Sequence, residues 1–127
     1  MSNDIPDVTN WRDFERYACQ YFSNIWKVDL GSRSVMVGGS LSWTFDLVSS
    51  DRSYVGDAKW LKNVPDPAAK WQAITEYIWL LQKVDADKVF MVFGRDAEVA
   101  ERYLKRVRPI TAPVAFYFLD GTGHRKL

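Results

Sequence analysis

The chain has 127 residues, 47% of them hydrophobic and 15% aromatic, which predicts one packed domain spanning residues 1–127 and excludes a disordered chain. Basic and acidic residues nearly cancel to a net charge of +1, so the chain as a whole lacks the cationic excess common in free-standing nucleic-acid binders, although a local basic groove remains open. No apolar run reaches the ~20 residues of a membrane span, the opening MSNDIPDV lacks the apolar core of a secretory signal, and the lone Cys19 excludes an internal disulfide, so no membrane association and a reducing cytoplasmic location are expected.

Asn10 followed by Asp13 resembles a capping box with Asp in place of Glu, and predicts a helix over residues 11–22. Its apolar stripe is Trp11, Phe14, Ala18, Tyr21 and Phe22. Three strand-like stretches follow, at 26–30 running on to 37, at 42–49 and at 53–61. Gly38-Gly39-Ser40 and Ser50-Asp51-Arg52 separate them as turns, so the stretches read as an antiparallel meander. Asp66-Pro67 reads as a cap followed by proline at the first helical position. The helix it opens runs to about residue 82, with Trp71, Ile74, Ile78 and Leu81 on one face. Residues 89–93 are a continuous apolar run, as in a strand covered on both faces. A third helix starts at Asp96 and ends before Pro109, and residues 114–119 form the last expected strand. The expected order is α-β-β-β-α-β-α-β. That is an α/β (α+β) arrangement with a central mixed sheet flanked by helices, its strand–helix–strand unit implying a parallel crossover.

Three charged residues fall inside strands. Alternation puts Trp43, Phe45 and Leu47 on one face of their strand and Asp46 on the other, and puts Asp57 and Lys59 together on one face of the next. If the two strands pair, two carboxylates and an ammonium share one end of a sheet. A hard divalent ion takes oxygen ligands, usually one or two carboxylates with waters and phosphate oxygens. A lysine beside two carboxylates stays charged and is suited to electrostatic and positioning work rather than to acting as a general base. Asp57-Ala58-Lys59 is the chain's only acid-x-lysine triplet. Its weight comes from its place on a strand paired with one that carries Asp46, after a helix and before a crossover. The plain alternatives are a solvated edge-strand face for Asp57 and Lys59, and a turn or salt-bridge role for Asp46.

In element order and in these residues the chain resembles the PD-(D/E)XK nuclease superfamily, with its restriction-endonuclease-like fold. Asp46 matches the first acidic position, Asp57 and Lys59 match the acid-x-lysine pair, and Phe45 stands where the nominal proline would be. Glu15 matches an acidic position on the first helix that many members use to support the metal site. It could equally pair with Arg12 or Arg16 on the helix surface. Gln72 is similar to a glutamine that resolvase-like and exonuclease-like branches place near the site. Those branches put a tyrosine four positions later, where this chain has Glu76, and Tyr77 one place further is not carried over. The resemblance implies hydrolysis of phosphodiester bonds, in DNA above all, with Mg²⁺ or Mn²⁺ held by Asp46, Asp57 and the Ala58 carbonyl. Lys59 would stabilise charge, with Glu15 and Gln72 in support.

The alternative of a different class is a nuclease-fold module without activity, kept for binding or assembly. An RNase H-like phosphotransferase ranks below both, because that fold opens on a strand and this chain on a helix. The small size predicts a homodimer or a component of a larger complex. Arg102, Lys105, Arg106 and Arg108 crowd the end of the third helix. There they either complement the helix dipole or contact phosphate, with Arg125 and Lys126 as possible partners. His124, the only histidine, falls in a tail that reads as loose, so a Ser-His-Asp triad or a histidine-ligated zinc site is not expected.

Overall fold

In the computed structural model, which describes residues 4–61 and 68–127, a six-stranded mixed sheet carries three helices. The order is α1 (Trp11–Trp26), β1 (Leu30–Val37), β2 (Leu41–Ser49), β3 (Tyr54–Trp60), α2 (Ala68–Gln82), β4 (Lys88–Gly94), α3 (Ala97–Val107), a 3₁₀ turn (Arg108–Ile110), β5 (Ala115–Asp120) and β6 (Gly123–Lys126). The strands lie in chain order across the sheet. β1, β2 and β3 pair antiparallel, β3, β4 and β5 pair parallel, and β6 returns antiparallel on β5. The expected cap at Asp66-Pro67 lies outside the described residues. Among the described residues no helix is long and apolar enough to cross a membrane.

The Asn10 side chain accepts the Asp13 N–H at 2.9 Å and caps α1, whose Phe14, Ala18 and Phe22 are fully buried on one face of the sheet. Trp11, expected in that stripe, is instead exposed. The helix runs one turn past the expected end at residue 22, because Trp26 continues the four-residue spacing and docks on Phe22, Tyr54, Phe90 and Tyr117. Lys27, with φ of 56°, then closes the helix, and β1 starts only at Leu30. α2 and α3 cover the opposite face through Ile74, Ile78, Leu81, Tyr103 and Leu104. Every residue from Val89 to Phe93 in β4 is buried, Phe90 and Val92 toward α1 and Met91 and Phe93 toward α2 and α3.

Two features of the sheet depart from the expected pattern. Gly31 pairs with Val48 but Arg33 with Phe45, so Asp46 and Leu47 together oppose Ser32 as a β-bulge. The bulge turns Phe45 and Val48 toward α2 and sends Leu47 to the α1 side, so Phe45 and Leu47 do not share a face as expected. The second feature is β6, which stands in place of the expected loose tail. His124 Nδ1 lies 2.7 Å from the Tyr21 hydroxyl, and the His124 N–H donates to the same oxygen.

Candidate active site

β2 and β3 pair only at Leu47–Gly56 and Val48–Val55, and beyond those rungs the sheet forks. Two carboxylates fill the fork. The Asp46 N–H donates to Asp57 Oδ1 at 3.2 Å, and the Ala58 N–H donates to Asp46 Oδ2 at 3.3 Å. Each aspartate thus satisfies a backbone donor of the other strand past the last β2–β3 rung. Alternation puts Asp57 and Lys59 on the α2 side of β3, between the buried Val55 and Leu61. Because β3 is an interior strand and Asp57 is only 2% exposed, the pair is not a solvated edge-strand face.

Lys59 Nζ sits 2.8 Å from Asp57 Oδ2, although that oxygen accepts no aligned hydrogen bond. The same ammonium lies 3.5 Å from the centre of the Tyr77 ring on α2. Tyr77 in turn packs edge-on against Trp43 and Phe45, which fixes the ring over the lysine. Spacing along the sequence gives Tyr77 no role, because its relation to Lys59 depends on how α2 lies across the sheet and not on its distance from Gln72. Gln72 itself is exposed. It lies about 140° around the helix from Tyr77, so the structure does not bring it to the carboxylates.

Glu15, one residue after the buried Phe14, reaches the fork from α1. Partial burial and the adjacent Asp46 carboxylate raise its pKa to about 7, against an opposing pull from Lys59 and Arg12. Burial pushes Asp57 up to about 8, with Asp46 adding to the rise and Lys59 opposing it. The Asp46 charge acts on both carboxyls, and the single ammonium of Lys59 opposes the rise in each. Cys19, one turn after Glu15 on α1, donates to the Leu30 carbonyl. Burial and then Asp46 raise its pKa, so it is a tether of α1 to β1 and a poor nucleophile.

Glu15, Asp46, Asp57, Ala58 and Lys59 therefore come together and Gln72 does not. Among the described residues no three His, Cys, Asp or Glu side chains form a ready-made metal cluster. What the fork offers is smaller: two carboxylates, each with one oxygen tied to backbone, and a buried Asp57 Oδ2 whose one cation among the described residues is Lys59. That donor set suits a hard cation that keeps waters and takes its remaining ligands from a substrate. Burial is the first cause of both raised carboxyls, and the neighbouring Asp46 charge adds to each. No protein-family model, no curated protein and no solved structure matches this chain.

Proposed function

We propose that the chain is a divalent-metal-dependent nuclease with a restriction-endonuclease-like fold, hydrolysing phosphodiester bonds in DNA. The observation that carries the reading is the fork, where Asp46, Asp57 and Lys59 converge from two strands and Glu15 joins them from the first helix. The helix, antiparallel meander and parallel crossover that frame it also support the fold assignment.

In this reading Asp46, Asp57 and the Ala58 carbonyl would hold Mg²⁺ or Mn²⁺. Such an ion lowers the pKa of a water and offsets charge developing on the phosphate. The protein's own residues do the rest. Lys59, paired with Asp57, orients a water and neutralises the phosphate oxygens as negative charge builds on them. Tyr77 keeps that ammonium from swinging into solvent. Glu15, its pKa raised to about 7 by burial and by the Asp46 carboxylate, adds a third acid beside the fork from α1.

The test is cleavage of supercoiled plasmid and of single strands with Mg²⁺ or Mn²⁺, comparing the wild type with Asp57→Asn and Lys59→Ala. Cutting by the wild type and a loss of at least about 100-fold in both variants is the expected result. Unchanged cutting by Asp57→Asn would remove the assignment.

One observation favours a second reading. The Asp57–Lys59 pair and the ring over it form a closed charge network, which an inactive binding or assembly module could keep for its structure alone. That reading predicts no heat of Mn²⁺ binding in calorimetry, whereas the nuclease reading predicts binding that Asp57→Asn abolishes.

A further inference from the structure

Across the sheet from the fork, α3 and β6 build a second charged surface. Lys105 at the end of α3, Arg108 in the turn after it, and Arg125 and Lys126 of β6 all line a groove of about 400 Å³ floored by Leu104. Arg108 and Lys126 also line an adjoining groove of about 340 Å³ beside Pro113, so the surface is an extended trough. Glu101 is the one acidic side chain lining it and is engaged by Arg125 at 2.8 Å. Lys105, Arg108 and Lys126 are exposed and make no ion pair among the described residues.

Attraction to the helix dipole accounts for cations in the last turn of α3, but it acts only within that turn. It gives no reason for two more cations to meet them from a separate strand. With four cationic side chains and one acidic side chain lining this groove in a chain of net charge +1, the remaining side chains are on balance acidic. The positive field is therefore local and directed, which a near-neutral total conceals.

We propose that this trough holds the phosphodiester backbone of a nucleic-acid strand at a distance from the reacting phosphate. A trough lined by exposed cations at two levels fits a repeating anion, and Lys105 and Arg108, three residues apart on a helical path, sit about 5–6 Å apart. The register also relates the two sites. Lys126 lies opposite Tyr117, Tyr117 opposite Val92 and Val92 opposite Ala58. The trough and the fork are thus on one rung of the sheet, three strands or about 14 Å apart. The choice of nucleic acid over other polyanions rests on the nuclease reading.

The test is fluorescence anisotropy with labelled single- and double-stranded oligonucleotides of about 20 nucleotides, in EDTA so that nothing is cut. The full chain is compared with Lys105→Glu/Arg108→Glu/Lys126→Glu and with the corresponding triple Gln variant. The expected result is binding at least tenfold weaker in the Glu variant, and a salt dependence shallower by about 0.9 per lost duplex contact. The Gln variant, which adds no repulsion, should fall between and covers the case in which the Glu variant misfolds.

Wild-type affinity and salt slope in both triple variants would overturn the proposal. So would no binding by the wild type at about 50 mM salt, or binding only to vesicles rich in phosphatidylserine. The two readings fail separately. Binding through the trough without cleavage in Mg²⁺ sinks the nuclease alone, and cleavage with binding indifferent to the triple variants sinks the trough alone.

Discussion

At the scale of single residues, the fork is a place where stability and charge oppose each other. Glu15 and Asp57 have folded-state pKa values near 7 and 8, above the ordinary carboxylate range. The folded chain therefore binds more protons than the unfolded one between about pH 4 and pH 8, and stability falls as pH rises through that window. Glu15 is partly open to water and contributes the smaller share. In EDTA we expect a loss of roughly 2–3 kcal/mol between pH 5 and pH 8, readable as a lower melting temperature. Asp57→Asn should flatten that slope, and a stability that stayed level or rose across the window would contradict these protonation states. Tyr77→Leu should leave the fold in place yet lower kcat about tenfold by freeing Lys59. Tyr77→Phe, which keeps the ring, should restore most of the rate, and equal rates in the two variants would deny the ring its role.

At the scale of elements, the close approach of α1 to the sheet decides whether Glu15 reaches the fork. Gly94, at the end of β4, makes that approach possible: a Cβ there would stand 2.3 Å from the Phe14 ring. Gly94→Ala should cost about 1–3 kcal/mol through overpacking and push Glu15 away from Asp46. Urea unfolding checks the first effect, and a cleavage rate reduced more than in Glu15→Gln checks the second.

Much at this scale is legible in the sequence. Alternation along β3 puts Asp57 and Lys59 on one side, and the apolar run of β4 announces a strand covered on both faces. The bulge at Asp46 and Leu47 is not legible, since neither residue is a glycine or proline that would mark it and only the pairing with β1 requires it. Trp26 misleads for a related reason, because an aromatic is at home in a strand and only its neighbours make it helical. Gly123–Lys126 carries no apolar residue, so β6 follows from its pairing with β5 and not from its composition.

For the molecule as a whole, β6 and α1 are joined from opposite ends of the described chain. Besides its two hydrogen bonds with Tyr21, the His124 ring packs edge-on against Phe22 and Tyr117. His124→Ala should cost about 1 kcal/mol, seen as a lower urea midpoint with an unchanged slope. A change in slope would mean that β6 unfolds apart from the rest. The charge pattern is also a property of the whole: +1 overall, a basic trough on α3 and β6, and an acid-rich fork three strands away.

The reciprocal bonding in the fork has a consequence for spectroscopy. The amide protons of Asp46 and Ala58 are held by the very carboxylates whose charge is at issue. Their chemical shifts and hydrogen-exchange rates are therefore internal reporters of the site, legible in a nitrogen–proton spectrum with no substrate present. A cation drawn to the two carboxylates should move these two resonances before any others, at concentrations where no bond has been cut.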